Sequence, residues 1–344
     1  MRWMKVLRWH MLLKRMAYEL RHQAIRAWQN GSFFIALAIL ALIPVWLSPT
    51  TQMHSQVQDT LFVIDISESM NVRDVDYPKP HTSRLQLAKE IVRDSMASLP
   101  CGSRVSVALF AGDESVVLFE PLEVCRHFSA MEQVVARLDT RMRWVGDSWI
   151  VRALIMAVKE AQRRELNVVM VSDGDEMPRH SAPRLTELLE IKGKMKGLLI
   201  GVGGEALQPI PKLNDQQQII GYWTPEEAVI EGNHPNLLAY VKSLAPGERA
   251  APGALDEVSE HLSALNKPFM TAIADASQFP FVHAQHPQQA LQAFNAAGFQ
   301  KSAPAQRDAS WIFGLSSMGL FLVAWFWHRL RVGRLFTLNA QPFH

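Results

Sequence analysis

The chain has 344 residues, 48% of them hydrophobic, and a formal net charge of +2. This length allows one large domain with additional segments. The charge is uneven: residues 1–31 carry seven Lys or Arg and one acid, and the tail after Trp327 carries three Arg and no acid. The middle of the chain is therefore mildly acidic. Nucleic-acid binding is excluded as an interpretation of the basic tail, because the tail adjoins an apolar segment.

Two apolar runs without charges border the middle, at residues 33–47 and 311–327. Each is close to the lower limit of about 17 residues for crossing a bilayer, and tryptophans lie at their edges, where interfacial anchors belong. A cleaved signal peptide is the alternative for the first run, but its basic region is too long and it lacks a small-x-small cleavage site. A buried core helix is the alternative for the second.

If both runs cross a membrane, the positive charge at both outer ends predicts that both termini are cytoplasmic. The expected location is the bacterial inner membrane, with the middle of the chain in the periplasm. The predicted order is a basic cytoplasmic segment, a transmembrane helix, a large domain, a second transmembrane helix and a basic cytoplasmic tail, at residues 1–31, 32–48, 49–309, 310–328 and 329–344.

The middle of the chain alternates between strand and helix patterns. Residues 60–66 and 166–172 are continuous apolar runs, as expected for strands covered on both faces. The remaining predicted strands are 103–111, 115–120, 196–204 and 279–284, and the predicted helices are 83–99, 126–138, 181–192, 268–277, 287–297 and one that starts near Ile150. This alternation predicts an α/β fold with a doubly wound, mostly parallel sheet, flanked by the two transmembrane helices.

Oxygen-bearing side chains follow two of the predicted central strands. Asp65 and Asp173 lie at the carboxyl ends of these strands, where ligands collect in such sheets. Ser67 and Ser69 come on the loop after Asp65. Carboxylate and hydroxyl oxygens that converge from separate loops suit a hard divalent cation, so the sequence predicts a metal site. The alternative is that the two serines cap the next helix and Asp173 closes a turn.

These residues resemble the von Willebrand factor A family. "DISES" at 65–69 fits the D-x-S-x-S signature of its metal-ion-dependent adhesion site, and "VVMVSDGDE" at 168–176 is similar to its later strand that ends in Asp-Gly. The family usually has a threonine as the third element, and "DSWIVRAL" at 147–154 places Ser148 there. The resemblance implies a Rossmann-like fold and a site for Mg²⁺, with Ca²⁺ or Mn²⁺ as alternatives, and an Asp or Glu of a partner protein on the metal. The implied ligands are Asp65, Ser67, Ser69, Ser148 and Asp173.

A narrower resemblance rests on the stretch "SMNVRDVDYPKPHTSRLQLAKE" at 69–90. It is similar to membrane-bound aerotolerance proteins of the Bat type, which accompany MoxR-type AAA+ ATPases, and the overall architecture is similar to accessory proteins of methanol-oxidation operons. The resemblance covers residues 58–204 well and 265–298 less closely. It implies that related membrane proteins of this family and such an ATPase are partners. Residues 205–264, called the insertion below, depart from the family, with a predicted hairpin, a helix and a Pro/Gly/Ala linker, and partner specificity is expected there.

The two cysteines, Cys101 and Cys125, each lie twelve residues from Asp113, the middle of a predicted hairpin. A symmetric hairpin would bring them together at one edge of the sheet, where an oxidising compartment would allow a disulfide. The alternative is two unrelated small core residues. A zinc site is excluded because neither cysteine has a C-x-x-C partner.

Three functions fit these observations. The favoured one is a membrane-anchored, metal-dependent protein-binding module that is not an enzyme, an accessory factor in the assembly or maturation of a periplasmic enzyme complex such as a methanol dehydrogenase. A metal-dependent hydrolase is the second, although the sequence contains no G-x-S-x-G, P-loop or H-E-x-x-H motif. A general aerotolerance or stress scaffold is the third.

Overall fold

The structure, a computed structural model, describes residues 32–47, 50–177, 185–231, 236–255 and 258–338. The chain divides into two compact units. The larger is His54–Ala305, and the smaller combines the residues before it with those after it.

A mixed sheet of seven strands forms the centre of the larger unit. Its strands are β2 (Thr60–Asp65), β3 (Arg104–Ala111), β4 (Glu114–Val117), β5 (Leu122–Glu123), β6 (Asn167–Ser172), β7 (Gly197–Gly201) and β12 (Phe281–His283). Their order in the sheet is β12-β7-β6-β2-β3-β4, with β5 beside β3. The strands from β12 to β3 are parallel, whereas β4 and β5 pair antiparallel with β3. The predicted α/β fold with a mostly parallel sheet is confirmed.

Helices cover both faces of this sheet, because alternate residues of each central strand point to opposite sides. The helices are α2 (Arg84–Ser98), α3 (Val124–Ala136), α4 (Ile150–Arg164), α7 (Lys267–Ser277) and α8 (Pro287–Ala296). On one face, Phe62 and Ile64 of β2 pack with α2, α3 and α8. On the other face, Leu61 and Val63 pack with α4 and α7. These four side chains of β2 are fully buried.

Local sequence signals explain several helix boundaries. Ser83 caps α2, since its side chain accepts a hydrogen bond from the Gln86 amide at 3.2 Å. Asn266 caps α7 in the same way through the Phe269 amide. The helix predicted at 181–192 is wrong in type: Leu185–Glu190 form a 3₁₀ helix, and residues 181–184 lie outside the described residues. The predicted strand 115–120 is also shorter, ending at Val117.

The insertion contains the predicted hairpin and helix. Strands β9 (Pro211–Leu213) and β10 (Ile219–Tyr222) pair antiparallel and are followed by α5 (Pro225–Glu231) and α6 (Leu238–Ser243). A further pair, β8 (Gln208–Pro209) and β11 (Leu262–Ser263), joins the beginning of the insertion to its end.

In the smaller unit, α1 (Ser32–Trp46) packs with α9 (Ser310–Leu338). The Ser317 hydroxyl donates to the Ala38 carbonyl at 2.9 Å. Ser310–Leu330 is the one stretch of the described residues that is long and apolar enough, at 21 residues, to cross a membrane. Helix α1 has 15 residues and falls short of that length, so the second predicted span is not established. Strands β1 (Thr50–Val57) and β13 (Lys301–Asp308), which the sequence did not predict, pair with each other.

A disulfide joins Cys101 and Cys125, with a Cα–Cα distance of 5.3 Å. It connects the turn before β3 to the first turn of α3, beside Glu123, whose carboxylate accepts a hydrogen bond from the Gly102 amide at 2.6 Å. The two cysteines are 24 residues apart in sequence, and the cross-link restricts the conformations of the unfolded chain between them.

We therefore expect thiol labelling of the unreduced, denatured protein to find no free cysteine. Reduction should lower the free energy of unfolding by about 3 kcal/mol, the loop-closure contribution for a loop of this size. Urea denaturation of the full chain in detergent, with and without reductant, measures that difference. Two labelled thiols in protein taken from an oxidising compartment would contradict the cross-link.

Candidate functional site

The loop 65–69, called the serine loop below, begins where β2 ends. The Asp65 carboxylate accepts one hydrogen bond from the Ser67 amide at 2.8 Å and another from the Ser172 hydroxyl at 2.6 Å. The hydroxyl oxygens of Ser67 and Ser69 lie 3.0 Å apart. Ser67 occupies the N-cap position of the 3₁₀ helix Glu68–Asn71, but its side chain makes no capping hydrogen bond. The loop therefore presents its two hydroxyls to each other rather than to the helix.

The backbone of Ser148 is held by the loop that contains Met177. Its amide donates to the Met177 carbonyl at 2.8 Å, and its carbonyl accepts from the Met177 amide at 3.0 Å. The side chain is 2% exposed, and its Oγ has no hydrogen-bond partner within the described parts of the chain. A buried hydroxyl without a partner costs about 1–3 kcal/mol, so a ligand that bound this oxygen would recover that free energy.

Asp173 follows β6 and is already bound by the protein. One of its carboxylate oxygens accepts from the Asp175 amide at 3.0 Å, and the other accepts from the Arg84 guanidinium at 2.8 Å. The turn predicted as an alternative role for Asp173 is thus present. Burial and the neighbouring Asp173 carboxylate raise the pKa of Asp65 to about 7. A cation near these two acids would favour their charged forms and lower that pKa.

A small pocket of about 30 Å³ lies at the serine loop. Its lining contains the three predicted serine ligands, Ser67, Ser69 and Ser148, together with Glu68, Arg143, Gly146, Asp175 and Met177. Four residues of the insertion also line it: Ile210, Trp223, Ala228 and Glu260. The structure therefore brings the three serines to one pocket, whereas Asp65 and Asp173 lie outside its lining.

The Trp223 side chain attaches the insertion to the serine loop through Glu68. The Trp223 indole donates to Glu68 at 2.7 Å, and Arg143 donates to the same carboxylate at 2.9 Å. Lys212 lies over the Trp223 ring, 4.9 Å from its centroid. Glu68 is a variable position of the D-x-S-x-S signature, so sequence reasoning had no reason to single it out.

Arg84 is the second residue that sequence reasoning missed. Its side chain is fully buried and makes ion pairs with Asp74 at 2.6 Å and Asp173 at 2.8 Å. It also donates to the Ser263 hydroxyl at 2.7 Å. Gly203 allows this approach: its φ is +108°, and a Cβ there would lie 2.4 Å from the Arg84 Nε. The sequence signal at this position is the S-R-L at the start of α2. This pattern predicts where the helix begins, but it does not identify the residues that Arg84 binds.

The donor set fits a hard divalent cation. Three serines and Asp175 line the pocket, and Asp65 and Asp173 are each two residues from a lining residue in sequence. Oxygen ligands of this kind suit Mg²⁺, Ca²⁺ or Mn²⁺ rather than a thiolate-preferring ion. The orphaned Ser148 hydroxyl is the observation that most requires a ligand.

Residues 60–176 match the model of the von Willebrand factor type A domain. The match supports a domain of that type in this segment. It spans the serine loop, Ser148 and Asp173, and it ends before the insertion. No curated protein sequence matches the chain.

The solved structures that are similar to the chain include two of bacterial proteins. BatB from Bacteroides thetaiotaomicron has 16% sequence identity and a TM-score of 0.48, over 70% of this chain and 98% of that one. An aerotolerance-related membrane protein from Bacteroides fragilis NCTC 9343 has 16% identity and a TM-score of 0.46, over the same shares of the two chains.

Replacing Arg84 by Met should lower the free energy of unfolding by about 3–5 kcal/mol, because it leaves Asp74 and Asp173 as buried charges without a counter-charge. Urea denaturation of the full chain measures the effect. The matched control is Arg93→Met on the same helix, where the side chain is 41% exposed and pairs with Glu90 and Asp94. That change should cost less than about 1 kcal/mol. Equal losses for the two variants would contradict the role assigned to Arg84.

Proposed function

We propose that the larger unit is a metal-dependent protein-binding module. In this proposal Ser67, Ser69 and Ser148 bind Mg²⁺ at the carboxyl ends of the strands, and Asp65 and Asp173 act directly or through water. The bound cation then holds an Asp or Glu of a partner protein. The observation that carries the proposal is the buried Ser148 hydroxyl, which has no partner among the described residues and lines one pocket with the other two serines.

The charge distribution explains why the metal would attract a second acid. Hydroxyl ligands are neutral, and the charge of Asp173 is balanced by Arg84. A divalent cation held mainly by hydroxyls keeps most of its positive charge, and an incoming carboxylate is the ligand that neutralises it.

Binding is favoured over hydrolysis by the position of the nearby acids. Burial raises the pKa of Glu176 to about 7, a value that would suit a general base. The Glu176 carboxylate, however, is bonded to the Ile150 amide and does not line the pocket. We therefore assign it no role in activating water.

The proposed location is the bacterial inner membrane, with two spans and the larger unit in the periplasm. The apolar stretch Ser310–Leu330 and the basic ends of the chain support this arrangement. The disulfide fits an oxidising compartment. Helix α1, roughly 22 Å long, would have to be matched by a thinner bilayer or by flanking residues, since the hydrocarbon core is about 30 Å thick.

The identity of the partners is a prediction that rests on the similarity of residues 69–90 to membrane-bound aerotolerance proteins of the Bat type. It comprises a MoxR-type ATPase, related membrane proteins with the same domain, and a periplasmic enzyme such as a methanol dehydrogenase. The order of neighbouring genes would distinguish maturation of that enzyme from a role in aerotolerance.

Replacing Asp65 by Asn should weaken Mg²⁺ binding at least about tenfold, or about 1.4 kcal/mol, because the site loses a charge. Calorimetric titration of the full chain in detergent measures the affinity. Asp59→Asn is the matched control: Asp59 precedes the same strand at its other end and is 3% exposed, where it pairs with Arg104 and Lys301. It should leave Mg²⁺ affinity unchanged. Equal Mg²⁺ affinities for the Asp65 variant and the native protein would contradict the assignment of this site as a metal site.

Serine variants test the hydroxyl ligand separately. Ser148→Ala should weaken Mg²⁺ binding, because the ion loses an oxygen ligand, whereas Ser148→Thr should leave it nearly unchanged, because the hydroxyl is kept. The same titration applies. A Ser148→Ala protein that binds Mg²⁺ as tightly as the native one would show that this hydroxyl is not a ligand.

Alkaline phosphatase fusions test the proposed topology. A fusion after Glu205 should be active, because it places the enzyme in the periplasm, and a fusion at the extreme C-terminus should be silent. The readout is phosphatase activity in whole cells, normalised to the amount of fusion protein. Activity of the C-terminal fusion would overturn the two-span arrangement.

A further inference from the structure

A second pocket lies between the insertion and the segment 72–81, which follows the serine loop. Its volume is about 340 Å³, within the range typical of pockets that hold a ligand. This pocket, called the arginine pocket below, is lined by Arg73 and His81 and, from the insertion, by Pro209, Pro211, Ile219 and Tyr222.

The arginine pocket is basic. Among the described residues that line it, none is acidic. Arg73 is exposed; it donates one hydrogen bond to the Gln217 carbonyl at 3.2 Å and makes no ion pair with a described acid. Lys79, on the same segment, is exposed as well. The Arg73 guanidinium therefore keeps its charge and most of its N–H donors available for an anion.

Backbone hydrogen bonds hold the residues around this pocket in place. Val75 and Thr82 exchange two of them, at 2.8 and 3.3 Å, across the turn that contains His81. In the insertion, Pro211 pairs with Tyr222 in the hairpin of β9 and β10. A ligand therefore meets a pocket whose main chain is already ordered, which lowers the entropic cost of binding.

The arginine pocket is separate from the serine pocket. Ile210 and Trp223 line the serine pocket, whereas their neighbours Pro209, Pro211 and Tyr222 line the arginine pocket. The Trp223 amide donates to the Ile210 carbonyl at 3.0 Å, which continues the pairing of β9 with β10. Successive side chains of extended chain point to opposite faces, so these strands lie between the two pockets. A ligand of the arginine pocket need not contact the metal.

The lining suits a carboxylate with an apolar group beside it. A guanidinium matches the planar geometry of a carboxylate, and the prolines and Ile219 supply apolar surface. This surface continues outside the pocket, because Ile220 is 68% exposed and Tyr222 is 50% exposed. A small acid would leave that surface in water, whereas a protein segment would cover it.

We propose that the arginine pocket binds an acidic side chain of a partner protein, together with the apolar residue beside it, without a metal. The inference goes beyond the proposed function, because it adds a second site whose ligand is held by Arg73. A partner that also places an acid on the proposed metal would be bound at two points, on the two faces of one hairpin.

The test uses two capped peptides, trifluoroacetyl-Leu-Glu-Leu-amide and its counterpart with Gln in place of Glu. Each is titrated with the full chain in detergent and EDTA, with detergent alone as the blank, and relaxation of the fluorine NMR signal gives the affinity. We expect the Glu peptide to bind about threefold more tightly than the Gln peptide, the difference typical of a partly solvated ion pair. Acetate at the same concentration as the peptide should not displace it.

The Arg73→Gln variant should bind the Glu peptide about threefold more weakly and the Gln peptide unchanged, because only the pair of guanidinium and carboxylate is lost. Unchanged binding of the Gln peptide also shows that the variant is folded. The matched control is Arg137→Gln, an exposed arginine at the end of α3, which should alter neither affinity. Ile219→Ser should weaken both peptides, because the apolar contact is reduced.

Equal binding of the two peptides by the native protein, or a preference for Glu that survives Arg73→Gln, would overturn the inference. Displacement by acetate would show that the carboxylate alone is recognised and would rule out a protein segment as the ligand. The peptides are measured without a metal, so the result is independent of the Mg²⁺ titrations: loss of the metal site leaves the arginine pocket standing, and the reverse also holds. A Glu peptide that binds only when Mg²⁺ replaces EDTA would assign it to the metal site instead.

Discussion

The buried guanidinium of Arg84 joins three parts of the chain that are far apart in sequence. It binds Asp74 on the segment before α2, Asp173 at the end of β6 and Ser263 in the insertion. A guanidinium taken out of water needs several polar partners, and the acids that it binds need it equally. Arg84 is therefore one of the side chains that attach the insertion to the end of β6, together with the bond from Trp223 to Glu68. The charge left at the candidate metal site depends on Arg84 too.

That charge decides what the site can bind. Asp173 is paired to Arg84, and Glu68 is paired to Arg143. The three proposed serine ligands are neutral, and Asp175 and Glu260 are the other acids that line the pocket. In the proposed site a cation would retain a strong attraction for a carboxylate. Ile210 and Trp223 add apolar surface on the insertion side, and this attraction is larger beside such surface than in water.

The sequence predicted the parts of the structure that local patterns encode. The central strands were found because continuous apolar runs mark strands buried on both faces, and the metal-site candidates because they follow those strands directly. The partners of Arg84 could not be predicted, since Ser263 lies 179 residues away and no pattern links the two. Asp175 and Glu260 were missed for the same reason: their burial in the pocket is produced by tertiary packing. Strands β1 and β13 carry polar residues and lack the apolar alternation that signals a strand.

A metal site of the proposed kind cannot by itself select a partner. A metal ion distinguishes poorly between one carboxylate and another, because each offers the same oxygen ligands. The insertion residues Ile210, Trp223 and Ala228 line the same pocket as the three serines, so a partner's acid that reached the proposed metal would come close to them. Discrimination between partners would then follow from contacts with the insertion, which lies outside the segment matched to the von Willebrand factor type A domain.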